Sequence, residues 1–222
     1  MTCLKTILNK LSENGYFVYE NCISGVDLEN LSKDFLQITC SPFPKCCRSL
    51  DLDVGTGVSV IFGEKKQASL NYTQAFFQQD WMHDVSNAFW GKEIKINKDI
   101  FVMHELPGTV HNAQYLHFDV LKTLKFFLYL NDVTEANGAF SCVPGSHKKS
   151  EKIRKKYGNK ISYENRHLTR QLDYKKEQII PIEGKAGDLI IFNTDVWHRA
   201  GIVKKGERKV MRGHTRPNPH LQ

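Results

Sequence analysis

The sequence predicts a single, mainly β domain: a β-sandwich with helices packed on its outside. Three observations carry that expectation. The chain has 222 residues, 41% of them hydrophobic, which is enough for one substantial core. Residues 124–130 (LKFFLYL), 187–193 (GDLIIFN) and 207–215 (ERKVMRGHT) have the composition of strands. Helical periodicity marks three segments of the first ninety residues, and no repeat or low-complexity linker divides residues 1–222 into further domains.

The helices follow from spacing. Leu4, Ile7, Leu8 and Leu11 recur at i, i+3, i+4 and i+7, so the N-terminus is expected to be an amphipathic helix. A second helix is expected to begin at Ser24, a suitable cap, and to bury Leu28, Leu31 and Phe35. A third is expected over 73–90, with Phe77, Trp81, Val85 and Phe89 on one side and Gly91 ending it. All three are expected to cover the sheet. Between them, residues 42–62 hold Pro42, Pro44, Gly55 and Gly57 and read as an irregular segment, either shaping the mouth of a pocket or forming a plain surface loop.

The chemistry is concentrated in His117-Phe118-Asp119, in His198, and in Arg208 ten residues later. In an extended strand, residues i and i+2 project to one face, so His117 and Asp119 point together while Phe118 packs on the other side. The 124–130 strand follows at once and gives the pair a rigid neighbour. Residues 187–193 form a turn and a buried strand, and Thr194-Asp195-Val196-Trp197 deliver His198 just past its end. Pairing of neighbouring antiparallel strands is expected to bring His198 and Arg208 together. Two histidines and one carboxylate hold Fe(II) on one face and leave the opposite positions open. An arginine offers a planar fork that matches the far carboxylate of an oxo-acid, which a lysine cannot do. Lys209 would point to the opposite face of the strand. Arg208, Arg212 and Arg216 recur at even spacing and can share one face.

A lone H-x-D arises easily in a chain with 9 histidines, so order and spacing matter more than the triplet. Leu116-His117-Phe118-Asp119 is followed by Leu128-Tyr129-Leu130-Asn131-Asp132-Val133-Thr134 and Asn137-Gly138. Then come Val143-Pro144-Gly145-Ser146-His147, Ala186-Gly187-Asp188-Leu189, Trp197-His198-Arg199-Ala200-Gly201 and Glu207-Arg208-Lys209. Asn14-Gly15-Tyr16-Phe17-Val18 opens the series. In this order the segments resemble the phytanoyl-CoA dioxygenase superfamily of Fe(II)/2-oxoglutarate oxygenases, over nearly the whole chain and least from 43 to 106.

The resemblance implies a double-stranded β-helix, or jelly roll, with flanking helices. It implies His117, Asp119 and His198 as iron ligands and Arg208 as the anchor for the distal carboxylate of 2-oxoglutarate. Gln114, just before the motif, would reach the cosubstrate or the substrate, or stand as a polar loop residue. The implied reaction consumes O2 and 2-oxoglutarate, releases succinate and CO2, and hydroxylates an aliphatic C–H bond. Halogenating relatives carry a small residue at the carboxylate position, so Asp119 favours hydroxylation. His147 reads as a turn or rim residue. His83, His104, His111, His167, His214 and His220 read as surface or core histidines, and no H-E-x-x-H or glycine-rich phosphate loop is present.

Net charge is +7, and much of it falls in a basic insertion at 148–176, from Lys148 and Lys149 through Arg154 to Arg170 and Lys176. A lid over the site built from it would favour an anionic small molecule; a solvated basic loop is the plainer reading. The 6 cysteines form no C-x-x-C pair, which suggests neither a zinc site nor a disulfide scaffold. With no apolar N-terminal leader and no stretch long enough to span a bilayer, a reduced cytoplasmic setting is expected. Two other function classes fit the charge. One is a nucleic-acid-binding module, for which no aromatic-interleaved motif is present. The other is a non-catalytic small-acid-binding protein on the same fold.

Overall fold

The computed structural model describes residues 3–40, 42–50, 52–62, 69–110, 112–170 and 174–216. Two antiparallel sheets face each other. The larger is built from β1 (Tyr16–Tyr19), β2 (Cys47–Leu50), β3 (Thr56–Ile61), β4 (Asp99–Glu105), β5 (Leu124–Tyr129), β8 (Leu189–Asn193) and β10 (Arg208–Thr215), in the order β1-β8-β5-β10-β4-β3-β2. The smaller has β6 (Phe140–Val143), β7 (Ile180–Ile182) and β9 (Trp197–Arg199), in the order β7-β6-β9.

Alternation along the strands divides the larger sheet into two environments, because successive side chains leave a strand on opposite faces. On β5, Leu124, Phe126 and Leu128 enter one hydrophobic core, while Lys125 and Phe127 face a cavity between the sheets. On β10, Met211 enters the same core, while Arg208, Val210, Arg212 and His214 face the cavity. Ile100 and Val102 of β4 point outward to the core, and Phe101, Met103 and Glu105 point inward. One face of the sheet is thus dry and packed, and the other is chemically equipped.

Helices cover the outward face. α1 (Leu4–Asn14) contributes Ile7 and Leu11, and α2 (Gly25–Thr39) contributes Leu31, Phe35 and Ile38. Ser24 occupies the N-cap position of α2, as its sequence suggests. The expected 73–90 helix is two helices: α3 (Asn71–Phe76) and α4 (Asp80–Trp90). The break has tertiary causes. Phe76 and Phe77 are both buried, with ring centroids 5.0 Å apart, and Gln79 turns to extended backbone (φ −68°, ψ 139°) before α4 restarts. Phe77 seats directly on Gly213 of β10, where an added Cβ would lie 2.5 Å from its ring. The buried carboxylate of Asp34, on α2, accepts hydrogen bonds from the Thr73 N–H (2.7 Å) and hydroxyl (3.0 Å), tying α3 to α2.

The segment 42–62 is more regular than its proline and glycine content suggests. β2 and β3 pair with each other, Cys47 opposite Val60 and Leu50 opposite Gly57, and extend the larger sheet at its edge. Val58 and Val60 are fully buried while Ser59 between them is not, an alternation that the surrounding breakers mask in the sequence. The expected position near a pocket holds, since Leu50 and Leu52 line the cavity. Among the described residues, no helix is long and apolar enough to cross a membrane.

Gly187 locks the turn into β8. Its φ is +96°, its N–H donates to the Tyr129 carbonyl (2.8 Å), and its own carbonyl accepts from Ile23 N–H (3.2 Å). A Cβ at this position would run into the Ile23 carbonyl oxygen. Gly187→Ala is therefore expected to lower stability by about 1–3 kcal/mol, read as a shifted urea midpoint at unchanged slope. A midpoint within error of the parent would show that this turn is not under the constraint described.

Candidate metal centre and its cavity

His117 and His198 meet through the backbone. Each N–H donates to the other's carbonyl, at 3.0 and 2.7 Å, in an isolated antiparallel bridge. The adjoining residues continue the stitching: Asp119 N–H donates to the Thr194 carbonyl (3.0 Å) and Phe118 N–H to the Thr169 carbonyl (3.2 Å). The H-x-D segment is thus held by single bridges, not within a regular strand. Phe118 turns away as expected and packs edge-on to Trp197, with ring centroids 5.3 Å apart.

The two imidazoles are fixed in one tautomer. His117 Nδ1 lies 2.6 Å from the Tyr115 carbonyl oxygen, and His198 Nδ1 lies 2.7 Å from that of Val196. A carbonyl oxygen can only accept, so each Nδ1 carries the proton and each Nε2 presents a lone pair. Both lone pairs aim at Asp119 Oδ1, from 3.4 Å for His117 and 3.5 Å for His198. One donor atom from each residue lies within 4.8 Å of the others. Ligand bonds of about 2.0–2.2 Å at right angles place neighbouring donors about 3 Å apart, so each histidine–Asp119 pair needs to contract by only a few tenths of an ångström around an ion. An outer carbonyl on the second ring nitrogen is the usual support of a metal-bound histidine. The residues fit a divalent metal held by two imidazoles and one carboxylate oxygen.

Electrostatics hold Asp119 and His198 in ligand form. Burial would raise the Asp119 pKa, but the Lys125 ammonium holds it well below the usual carboxylate range. Lys125 Nζ lies 2.6 Å from Asp119 Oδ2, which leaves Oδ1 for the metal side. Burial, with the neighbouring His117, lowers the His198 pKa to about 4 against the pull of Asp119, so this ring is neutral at ordinary pH. Behind the motif, Arg154 of α5 (His147–Tyr157) acts as a strut. It grips Asp195 Oδ1 (2.7 Å through Nε), donates to the carbonyls of Val120 (2.8 Å) and Asp119 (2.6 Å), and lies over the Phe118 ring.

The triad opens on a cavity of about 620 Å³, within the range typical of small-molecule sites. Phe127, Phe140 and Phe192 form an apolar wall, the last two with ring centroids 5.7 and 5.1 Å from that of His198. Arg208 lines the cavity but is 1% exposed. Its Nε donates to Glu105 Oε2 (2.7 Å), its Nη2 pairs with the same carboxylate (2.5 Å), and its Nη1 faces the Gly138 carbonyl. The charge of Arg208 is therefore already compensated, and only its outer Nη hydrogens remain for an oxo-acid. Arg212 contrasts with it. Its guanidinium lies 4.4 Å from the Phe101 ring centroid, and its Nε has no hydrogen-bond partner among the described residues. An unpaired polar group shielded from water costs about 1–3 kcal/mol, more when charged.

The strand pairing expected for His198 and Arg208 is corrected by the fold. The two residues do not lie on paired strands: β9 pairs with β6, Cys142 opposite His198, whereas β10 pairs with β4 and β5. They share a site because the two sheets face each other across the cavity. Gln114 is half-buried, donates its amide to the Thr109 carbonyl (2.8 Å), and is not among the residues lining the cavity, although its neighbour Ala113 is. His147 is buried beside α1, 3.1 Å from the Ser12 carbonyl. His214 is in the cavity wall, 3.7 Å from Asp99, and burial lowers its pKa to about 4. Arg208, Arg212 and Arg216 do share the cavity face, as their even spacing suggests. Of the basic insertion, the α5 lysines point to solvent, whereas Tyr163, Arg166, Thr169 and Arg170 line the cavity; residues 171–173 lie outside the described residues.

The profile of the phytanoyl-CoA dioxygenase (PhyH) family matches residues 11–209. The chain belongs to that family. Its members depend on Fe(II), 2-oxoglutarate and O2. A curated relative, phytanoyl-CoA dioxygenase 1 of Oryza sativa subsp. japonica, is 31% identical over 86 residues, a stretch that spans 39% of the chain and 30% of that relative. Among solved structures, HygX of Streptomyces hygroscopicus with nickel, 2-oxoglutarate and hygromycin B bound superposes with a TM-score of 0.64 at 13% identity, over 99% of this chain and 88% of that one. The epimerase SnoN, in complex with Fe3+, alpha ketoglutarate and nogalamycin RO, gives 0.63 at 13% identity, over 96% and 82%. These likenesses establish the fold, a double-stranded β-helix with helices on one face.

Lys125→Met would leave the Asp119 carboxylate without its ammonium partner in a site that is largely shielded from water. In chelator-treated protein this is expected to cost about 1–3 kcal/mol by urea denaturation, below the loss for a fully buried pair because both side chains keep some exposure. An unchanged midpoint would show that Lys125 does not hold Asp119.

Proposed function

We propose that the protein is an Fe(II)- and 2-oxoglutarate-dependent dioxygenase that hydroxylates an aliphatic C–H bond of a small molecule, releasing succinate and CO2. The observation that carries this reading is the convergence of His117 Nε2, His198 Nε2 and Asp119 Oδ1, with both histidine tautomers fixed by carbonyls. These three atoms would hold the iron, which, when bound with 2-oxoglutarate, supplies the activated oxygen that C–H hydroxylation requires. Family membership supports the cofactor set.

The remaining roles fall to the chain's own residues. Lys125 occupies Asp119 Oδ2 and keeps the carboxylate ionised, so that one oxygen is offered to the metal. Arg208, at the most buried end of the cavity, would hold the distal carboxylate of 2-oxoglutarate through the Nη hydrogens that Glu105 and Gly138 leave free. Phe127, Phe140 and Phe192 exclude water beside His198 and give a substrate chain an apolar surface. The 163–170 segment closes the cavity from the side of the H-x-D motif, a lid stitched down by the Phe118–Thr169 hydrogen bond. Gln114 contributes only by fixing the loop ahead of His117. A cytoplasmic, reducing setting suits ferrous iron and the six free thiols. A non-catalytic acid-binding role on this fold would not need a complete triad.

Succinate formation from 2-oxoglutarate, measured with Fe(II) and O2, tests the assignment. His117→Ala and Asp119→Ala are expected to abolish it, and Arg208→Ala to raise the 2-oxoglutarate concentration needed by about ten-fold or more. Parent-level turnover in both triad variants would sink the metal assignment.

A further inference from the structure

Six cationic side chains and three carboxylates line the cavity. Lys125 is occupied by Asp119, and Arg208 by Glu105. Asp99, the third carboxylate, lies 3.7 Å from His214 and also attracts Arg212 without a direct ion pair. Arg166, Arg170, Arg212 and Arg216 are left without an ion pair among the described residues. Arg166 and Arg216 are exposed at the rim, and Arg170 lies over the Tyr115 ring (5.6 Å).

Arg212 differs from the other three. It is half-buried, its Nε is shielded and unpaired, and among the described residues its side chain makes no hydrogen bond. Its plane rests on Phe101, which fixes the direction of the fork. In the register of the sheet, Arg212 stands opposite Phe127, and the next inward residue, His214, stands opposite Lys125. Arg212 is therefore on the Asp119 side of the cavity. Arg208 lies four residues away, about 13 Å along the strand, at the Glu105–Gly138 end. Two guanidinium groups thus serve two places: one deep at the far end, paired directly with Glu105, and one beside the triad, in the field of Asp119 and Asp99 but hydrogen-bonded to neither.

We propose that Arg212 anchors a carboxylate or phosphate group of the substrate, so that the molecule oxidised is a small organic acid or phosphate ester and not a neutral compound. This rests on the oxygenase reading above. A neutral substrate filling the cavity would strip water from the fork and leave it unpaired; an oxyanion completes it with two charge-assisted hydrogen bonds. The apolar wall of Phe127, Phe140 and Phe192 then takes the rest of the molecule.

The test is isothermal titration calorimetry on the full chain loaded with Ni(II) and saturating 2-oxoglutarate, using hexanoate, hexyl phosphate and hexanamide as probes. At least one anion is expected to bind about ten-fold or more tightly than hexanamide, and the better of the two identifies carboxylate or phosphate. Arg212→Gln is expected to erase that preference while 2-oxoglutarate affinity stays within about two-fold, and Arg212→Lys to keep part of it. The proposal is overturned if Arg212→Gln retains the preference, if neither anion outbinds the amide, or if Arg212→Gln loses 2-oxoglutarate binding, which would make Arg212 the cosubstrate anchor. Failure of the oxygenase reading is separate: the parent protein with Ni(II) would not bind 2-oxoglutarate at all, while the anion preference is still read on metal-free protein.

Discussion

The reciprocal hydrogen bonds between His117 and His198 are the constraint on which the site depends. They join a segment that belongs to no regular strand to an edge strand of the smaller sheet, and so set the distance between two imidazoles far apart in sequence. Carbonyl oxygens two residues before each histidine then choose the tautomer. The backbone itself brings the donors together. Preorganisation of this kind matters because an ion then meets ligands that are already oriented and correctly protonated, and binding does not have to order them.

The cavity's electrostatics show where the fold tolerates cost. Asp119 with Lys125 and Glu105 with Arg208 are pairs whose burial is compensated by short contacts. Such pairs contribute little net stability, because desolvation consumes most of the attraction, so their value is in fixing charge and geometry. The guanidinium of Arg212, which has no hydrogen bond among the described residues, is harder to explain by stability, since an apolar residue on Phe101 would pack as well. Its presence is intelligible if a bound anion completes it. The alternation of β5 and β10 permits this division of labour: Phe126 and Met211 seal the helical side, while Lys125 and Arg212 serve the cavity.

Much of this is legible in the sequence, for identifiable reasons. The i, i+2 rule puts His117 and Asp119 together, and even spacing puts Arg208, Arg212 and Arg216 on one face. The pairing of the His198 strand is not legible, because nothing local states which sheet a three-residue strand joins. The continuous 73–90 helix fails for a similar reason: its periodicity is sound, but Phe77 is claimed by Gly213 across the sheet. The hairpin within 42–62 is hidden by prolines and glycines that flank a short alternating run. Lys125 is a functional residue that the motif pattern misses. A lysine at an alternate position of an otherwise apolar strand does carry a signal: a buried charge on one face, whose partner is the motif carboxylate six residues earlier.

If His117, Asp119 and His198 hold one Fe(II) that also binds 2-oxoglutarate, a direct spectroscopic consequence follows. It is read by visible spectroscopy during anaerobic titration of the protein with Fe(II) and then 2-oxoglutarate. The expected result is a weak metal-to-ligand charge-transfer band that saturates at one iron per chain and disappears in His198→Ala. Absence of the band in the parent protein, with no iron retained after desalting, would contradict that ligand set.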